Sequence, residues 1–272
     1  ARDFAVAPAV RRILGAEPET LSEAAFFLPR RFAAEGTQRV DCEGGLPLQL
    51  VRLLDGVAIR LSCRVSSVET ETDGARVRYD AGGRSGSAVA DAAVIAVPGP
   101  AVPELCPKLT PGERGYLETV RYAPACIVDF DLDRPVAAGG LSHLGFPTSE
   151  RIELAGLEVA PTARALRATL SDEAIRRVAG ADEDTIAAHA EAEIARTPLG
   201  GLSIADARVR AWRWARPVFG PGALSRLSGF LRRTERSPRL AFAGDYLIGG
   251  TLEAALTSGM RAASETHRAL CE

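Results

Sequence analysis

The chain has 272 residues, of which 46% are hydrophobic and 25% charged, and its formal net charge is −2. This composition is typical of a globular protein with enough length for one large domain or two smaller ones. The balanced charge and the absence of a basic run argue against nucleic-acid binding. No run of apolar residues is long enough to span a membrane, and the N-terminus lacks the pattern of a signal peptide, so we expect a cytoplasmic protein.

Cysteine and histidine positions give no sign of a metal site or a disulfide framework. The five cysteines are scattered without a Cys-x-x-Cys pair, and we expect them to be reduced thiols that mostly fill the core. The three histidines lie far apart, and none has the spacing of a metal ligand. The sequence therefore predicts no bound metal.

The N-terminal part of the chain is expected to be helical. In residues 1–36 apolar residues recur at three- and four-residue steps, with proline and glycine as breaks. Gly44 and Gly45 then open a second, short helix that is expected to end at Gly56.

A β-rich block follows. Residues 57–61 alternate strictly between apolar and polar, which predicts a strand. Two further runs are predicted to form a hairpin that turns at Asp73-Gly74. Residues 90–98 are a continuous apolar run ended by Pro98, which favours a strand covered on both faces.

The rest of the chain mixes helices and strands without a steady β–α–β rhythm, which predicts an α/β or mixed α+β class. In chain order we expect a helix at 111–119, a strand at 122–133, two or three strands within 140–170, one or two helices within 171–196 broken near Gly180, a long strand at 204–217, a short helix near 222–233, a strand at 239–243 and a helix at 251–270.

The last strand runs directly into Gly244-Asp245. Glycine allows a sharp turn and lets a ligand approach the backbone closely. Asp245 then lies at the carboxyl end of a strand, where open α/β sheets bind their ligands. An acid at that place commonly accepts hydrogen bonds from ribose or ribityl hydroxyls. The alternative is an aspartate in a surface turn or a helix cap.

The final helix begins after a Gly-Gly pair, with Thr251 as the predicted N-cap. A helix start offers free N–H groups and a partial positive charge to an anion or an electron-rich carbonyl. Small residues dominate the face that we expect to pack closely against a sheet or a cofactor; the alternative is simple tight packing of a C-terminal helix. That face consists of Leu252, Ala255, Leu256, Gly259, Ala262, Ala263 and Thr266.

Four stretches together resemble the C-terminal portion of the FAD-dependent amine oxidase and protoporphyrinogen oxidase superfamily. They are LAFAGDYLIGGTLEAALTSGMRAA, EGGLPLQLVRLL, the block from VAIRLSCRVSSVE to AVIAVPGPA, and VRAWRWARPVFGPG, and they stand in the order found in that family. The resemblance covers roughly residues 43–272 and implies an FAD-dependent oxidoreductase.

The resemblance also implies roles for individual residues. Val65 would contact the adenine part of FAD through its backbone, and Asp245, with Gly244 beside it, would bind the ribityl or pyrophosphate region. Thr251 and Leu252 would place backbone N–H groups near the pyrimidine end of the isoalloxazine, where they would stabilise negative charge on the reduced ring.

Two positions, Trp212 and Ala125, bear on which branch of the family this chain resembles. Trp212 would line the flavin region, with a core aromatic as the alternative. Amine-oxidising members often have a lysine near flavin N5, and the corresponding position here is Ala125. Lys108, the only lysine, lies outside that strand. This departure favours a protoporphyrinogen-oxidase-like or desaturase-like branch.

The chain also lacks the G-x-G-x-x-G unit that opens this family, since its nearest glycine cluster, AGGRSG, is interpreted as a hairpin turn. We therefore expect that an N-terminal segment, attached or as a separate chain, supplies the other half of the FAD site. The predicted fold is an incomplete FAD-binding domain (44–106 and 216–272) interleaved with a substrate domain of mixed sheet and helices (1–43 and 107–215).

The expected function is oxidation of a C–N or C–C unit of a small or medium-sized organic substrate by hydride transfer to FAD. No side chain is predicted to be an acid–base catalyst. The charged residues Glu150, Arg151, Glu153 and Arg164 are interpreted as solvated strand edges. The alternative function is a non-catalytic scaffold or regulatory subunit that keeps the fold without FAD.

Overall fold

The computed structural model describes residues 2–27, 45–233, 235 and 237–271. Among them, no helix is both long and apolar enough to cross a membrane. The predicted helical segment from 28 to 36, and Gly44 at the expected start of the second helix, lie outside the described residues.

The described residues form a mixed α/β structure. The helices are α1 (Ala7–Leu14), α2 (Gly45–Leu53), α3 (Val102–Leu105), α4 (Pro111–Leu117), α5 (Asp172–Arg177), α6 (Glu183–Ala195), α7 (Ala223–Leu231) and α8 (Leu252–Cys271). Residues 23–27 are also helical. The strands are β1 (Cys63–Glu71), β2 (Gly74–Ala81), β3 (Arg84–Ala90), β4 (Ala93–Ile95), β5 (Arg121–Leu132), β6 (His143–Leu144), β7 (Leu154–Val159), β8 (Ala165–Leu170), β9 (Ile204–Val218) and β10 (Leu240–Phe242).

The chain divides into two compact units. The first unit consists of Ala1–Phe26 with Val120–Ser225, and the second of Phe27–Thr119 with Arg226–Glu272. Both are discontinuous in sequence, as the predicted domains are, but with different boundaries. The assignment of FAD-binding and substrate-binding roles to them stays a prediction.

The first unit is built on an antiparallel sheet of order β6-β7-β8-β5-β9. Alternate residues of β5, namely Cys126, Val128, Phe130 and Leu132, are buried in its core, because successive side chains of a strand point to opposite faces. Buried residues of α6, such as Ile194, belong to the same core.

The opposite face of β5 carries charge. Asp129 accepts a hydrogen bond at 2.6 Å from Nε of Arg167 on β8 and another from Arg210 on β9. Burial opposes ionisation of Asp129, but these two guanidinium groups outweigh it and hold the pKa of the carboxyl below its usual value. The aspartate therefore ties three neighbouring strands together in its ionised form.

Glu153 does not lie at a solvated strand edge, so that interpretation is wrong for this residue. One of its carboxylate oxygens lies 2.7 Å from Nη2 of Arg177 and the other 3.1 Å from Nε2 of His189. Its backbone N–H donates to Glu193 at 2.7 Å. These partners, on α5 and α6, explain Glu153 as a structural residue that joins helices to the start of β7.

The second unit contains the antiparallel meander β1-β2-β3. Glu71 pairs with Gly74, so the first turn consists of Thr72 and Asp73, one residue before the predicted position. Gly82 and Gly83 form the second turn with φ of +62° and +83°, the signs required by a type I′ hairpin. The interpretation of the AGGRSG cluster as a turn is thus confirmed.

The second unit also contains the parallel pair β4 and β10, with Ile95 opposite Phe242. The expectation that β4 is covered on both faces is wrong, because Ile95 is buried but Val94 is 44% exposed. Residues 57–61 are not a strand, although they alternate, because they pair with no strand among the described residues; Leu61 is 82% exposed.

Candidate functional site

The backbone bends sharply where β10 ends. Gly244 has φ of +155° and ψ of +160°, a region that is essentially restricted to glycine. A Cβ atom there would lie 2.4 Å from Cε1 of Tyr246, whose side chain is buried. Glycine at this position is therefore required both by the backbone angles and by the ring packed against it.

Ser258 of α8 holds this bend in place. Its Oγ accepts a hydrogen bond from the N–H of Gly244 at 3.0 Å, and the serine is fully buried. The sequence patterns considered above do not identify Ser258. The buried residues of α8 are Ala254, Ser258 and Ala262, which are spaced four residues apart. This regular spacing of small residues is the signal that could have identified it.

The predicted packing face of α8 is wrong for three of its seven members, Leu252, Leu256 and Ala263, which are exposed. Ala262 is buried, but Leu252 and Leu256 are 46% and 44% exposed. The helix presents its alanine and serine stripe to the rest of the second unit, and it leaves two leucines at its N-terminal end accessible. The small residues thus serve close packing within the unit, and the accessible leucines flank the helix start.

Asp245 lies at the carboxyl end of β10 and begins a 3₁₀ turn, Asp245–Leu247. Its carbonyl accepts hydrogen bonds from the N–H groups of Ile248 at 3.1 Å and Gly249 at 2.8 Å. Its side chain is partly exposed, whereas the next two residues are buried. The buried neighbours fix the position of the aspartate while leaving its side chain within reach of solvent or a ligand.

The tyrosine after Asp245 is anchored to the core of the second unit. Its carbonyl accepts a hydrogen bond from the hydroxyl of Tyr116 at 2.9 Å. The ring of Tyr116 stacks on Phe230, with ring centroids 4.5 Å apart, and Phe230 lies against Phe242 of β10. Burial raises the pKa of the Tyr116 hydroxyl, which therefore stays a donor at neutral pH.

Thr251 is the N-cap of α8, which confirms the prediction. Its Oγ1 accepts a hydrogen bond from the N–H of Ala254 at 3.1 Å, and its own N–H donates to the carbonyl of Gly249 at 2.9 Å. The first N–H groups of a helix have no partner within the helix, and they carry a partial positive charge. The cap therefore fixes the direction of a helix start that can receive an electron-rich group.

The other two predicted site residues lie on different elements. Val65 is a half-buried residue of β1 that pairs with Tyr79, next to an irregularity in the ladder. Trp212 belongs to the first unit, where it lies on β9 opposite Ala125. The alternative of a core aromatic is wrong for Trp212, since it is 44% exposed.

The residues brought together in the second unit are thus Gly244, Asp245, Thr251 and Leu252. Their donor and acceptor groups fit part of a flavin nucleotide. A partly exposed carboxylate can accept hydrogen bonds from ribityl hydroxyls, and the N–H groups of a helix start can bind a ring carbonyl or a phosphate. No geometry of a bound flavin follows from this chain alone.

Comparison with known proteins gives three findings. Residues 2–267 match the family model described as flavin-containing amine oxidoreductase. The structure is similar to that of cyclohexylamine oxidase from Brevibacterium oxydans IH-35A, with a TM-score of 0.71 and 17% sequence identity, covering 98% of this chain and 64% of that one. No curated protein sequence matches at a significant level. The likeness to the solved structure shows a shared fold, and this chain spans about two thirds of that protein's length.

Proposed function

Because this chain belongs to the family of flavin-containing amine oxidoreductases, we propose that it forms part of an FAD-dependent oxidoreductase and provides one side of the cofactor site. The reaction is oxidation of a C–N or C–C unit of an organic substrate, and FAD supplies the hydride acceptor. The observation that carries the proposal is a partly exposed aspartate at the end of a parallel strand, six residues before the capping threonine of α8.

In this proposal the chain binds and orients the cofactor and tunes its charge. Asp245 accepts hydrogen bonds from the ribityl or pyrophosphate region, and Gly244 keeps the backbone there free of a side chain. The N–H group of Leu252 would stabilise negative charge on the reduced isoalloxazine, and Thr251, whose own N–H donates to the carbonyl of Gly249, would position it as the cap of α8. Val65 binds the adenine end through its backbone.

The second unit also needs a partner in this proposal. Its α2 helix buries no residue, and apolar side chains of α2, of residues 57–61 and of β4 are exposed, including Val51, Leu53 and Val94. We assign this surface to a dinucleotide-binding segment, attached or separate, that adds strands beside β4 and completes the flavin site. The second unit is then the FAD-binding part, and the first unit binds the substrate.

The protoporphyrinogen-oxidase-like or desaturase-like branch remains our proposal for the reaction. Its support is Ala125 at the position of the amine-oxidase lysine. Ala125 lies on β5 opposite Trp212, which borders the flavin region in this proposal.

The proposed function is tested by the visible spectrum of the full-length protein. A yellow protein with absorption near roughly 370 and 450 nm, bleached under anaerobic conditions by a substrate, supports the enzyme. A colourless protein that takes up no added FAD contradicts it and supports the non-catalytic scaffold instead.

A further inference from the structure

The backbone around Asp245 is held from both sides by side chains of two different helices. On the N-terminal side, Oγ of Ser258 on α8 accepts a hydrogen bond from the N–H of Gly244 at 3.0 Å. On the C-terminal side, the hydroxyl of Tyr116 on α4 donates to the carbonyl of Tyr246 at 2.9 Å. The residues on either side of the aspartate are therefore each fixed by a hydroxyl that is distant in sequence.

Both of these hydroxyl-bearing side chains are themselves fixed by packing. Ser258 is fully buried, and Tyr116 is 8% exposed. The ring of Tyr116 stacks on Phe230, with centroids 4.5 Å apart. A hydrogen bond to a buried group is costly to break, because the group left behind cannot turn to water. The two contacts therefore favour a single backbone geometry at the bend.

Ser258 also closes a ring of contacts that contains the start of α8. The carbonyl of Asp245 accepts a hydrogen bond from the N–H of Gly249 at 2.8 Å, and the carbonyl of Gly249 accepts one from the N–H of Thr251 at 2.9 Å. Thr251 caps α8, and Ser258 lies about two turns along the same helix and returns to Gly244. The spacing between the aspartate and the helix start is fixed by this ring.

We propose that Ser258 and Tyr116 are positioning residues of the cofactor site, which act on FAD through the carboxylate of Asp245. This inference rests on the proposed function. Both hydroxyls are buried, so neither touches the cofactor, whereas the side chain of Asp245 is partly exposed. Their contribution to affinity is preorganisation: the carboxylate is already in place before FAD arrives, and binding does not have to order it.

The test is a double-mutant cycle on FAD affinity, measured on the full-length protein by quenching of flavin fluorescence. Ser258→Ala and Tyr116→Phe should each weaken FAD binding by about fivefold, which is the net contribution of one hydrogen bond. In an Asp245→Ala background the same two changes should weaken binding by less than about twofold, because the group that they position is gone.

The matched control is Ser264→Ala. Ser264 also lies on α8, and its Oγ donates to the carbonyl of Met260 at 3.0 Å, but the residue is exposed and belongs to no part of the ring. This variant should bind FAD as the wild type does. Circular dichroism and urea midpoints establish that each variant is folded under the conditions of the titration. Tyr116→Phe keeps the stacked ring, so it carries the test if Ser258→Ala does not fold.

Two results overturn the inference and leave the proposed function intact. In the first, Asp245→Ala weakens FAD binding but Ser258→Ala and Tyr116→Phe bind FAD as Ser264→Ala does. In the second, the two changes cause equal losses with and without the Asp245 carboxylate, which would make their effect a general loss of structure. A wild-type protein that takes up no FAD contradicts the proposed function and overturns the inference with it.

Discussion

Replacement of Gly244 by alanine should destabilise the second unit strongly. A non-glycine residue at φ of +155° and ψ of +160° costs roughly 1–3 kcal/mol in backbone strain. The added Cβ would lie 2.4 Å from Cε1 and 2.7 Å from Cδ1 of Tyr246, which is buried and cannot move without disturbing the core. Overpacking of this kind costs about 1–3 kcal/mol. The sum is about 2–6 kcal/mol of unfolding free energy.

Urea unfolding of the full-length protein, followed by circular dichroism, measures this change. Gly249→Ala is the matched control in the same loop, because its Cβ would find its nearest neighbour, Cβ of Ala254, at 3.9 Å and its φ is not positive. The control should change stability by less than about 0.5 kcal/mol. Equal stability of the two variants would refute the assignment of strain and close packing to Gly244.

Three further changes follow from local contacts. Thr251→Ala removes the N-cap of α8 and should lower the unfolding free energy by about 1 kcal/mol in urea, whereas an unchanged midpoint would contradict the cap. Asp129→Asn should lower the unfolding free energy at pH 7 by only about 1 kcal/mol, because the exposed arginine partners are screened by solvent. Since the folded-state pKa of Asp129 is lowered, its contribution is present above about pH 4 and is lost as the pH falls through that lowered value. An equal loss of stability at pH 2 and at pH 7 would contradict this. The exposed Cys271 should react with Ellman's reagent in the folded protein, whereas the buried Cys106, whose pKa burial and then Glu113 raise to about 11, should react only after unfolding, and fast labelling of both would contradict the burial.

The elements that local chemistry determines could be predicted from the sequence. The turn at Gly82-Gly83 follows from two residues that adopt positive φ readily. The N-cap at Thr251 follows from a hydroxyl beside a glycine pair. In each case the residues that suggest the feature in the sequence are the same residues that form it in the structure.

The elements that depend on a distant partner were predicted less well. Residues 57–61 alternate as a strand does, but a strand forms only where another strand accepts its hydrogen bonds. The predicted packed face of α8 is only partly right, because alanine, glycine and serine occur all round this helix and do not mark which side is buried.

The central claim is that Asp245 binds FAD. It is tested most directly by comparing the FAD affinity of the full-length Asp245→Ala variant with that of an Asp184→Ala control. Asp184 is an exposed residue of α6 outside the proposed cofactor site, so its loss should leave FAD binding unchanged. Loss of the Asp245 carboxylate should weaken FAD binding by about tenfold or more, the contribution expected of a charge-assisted hydrogen bond. Equal affinities of the two variants, with both proteins folded, would contradict the account.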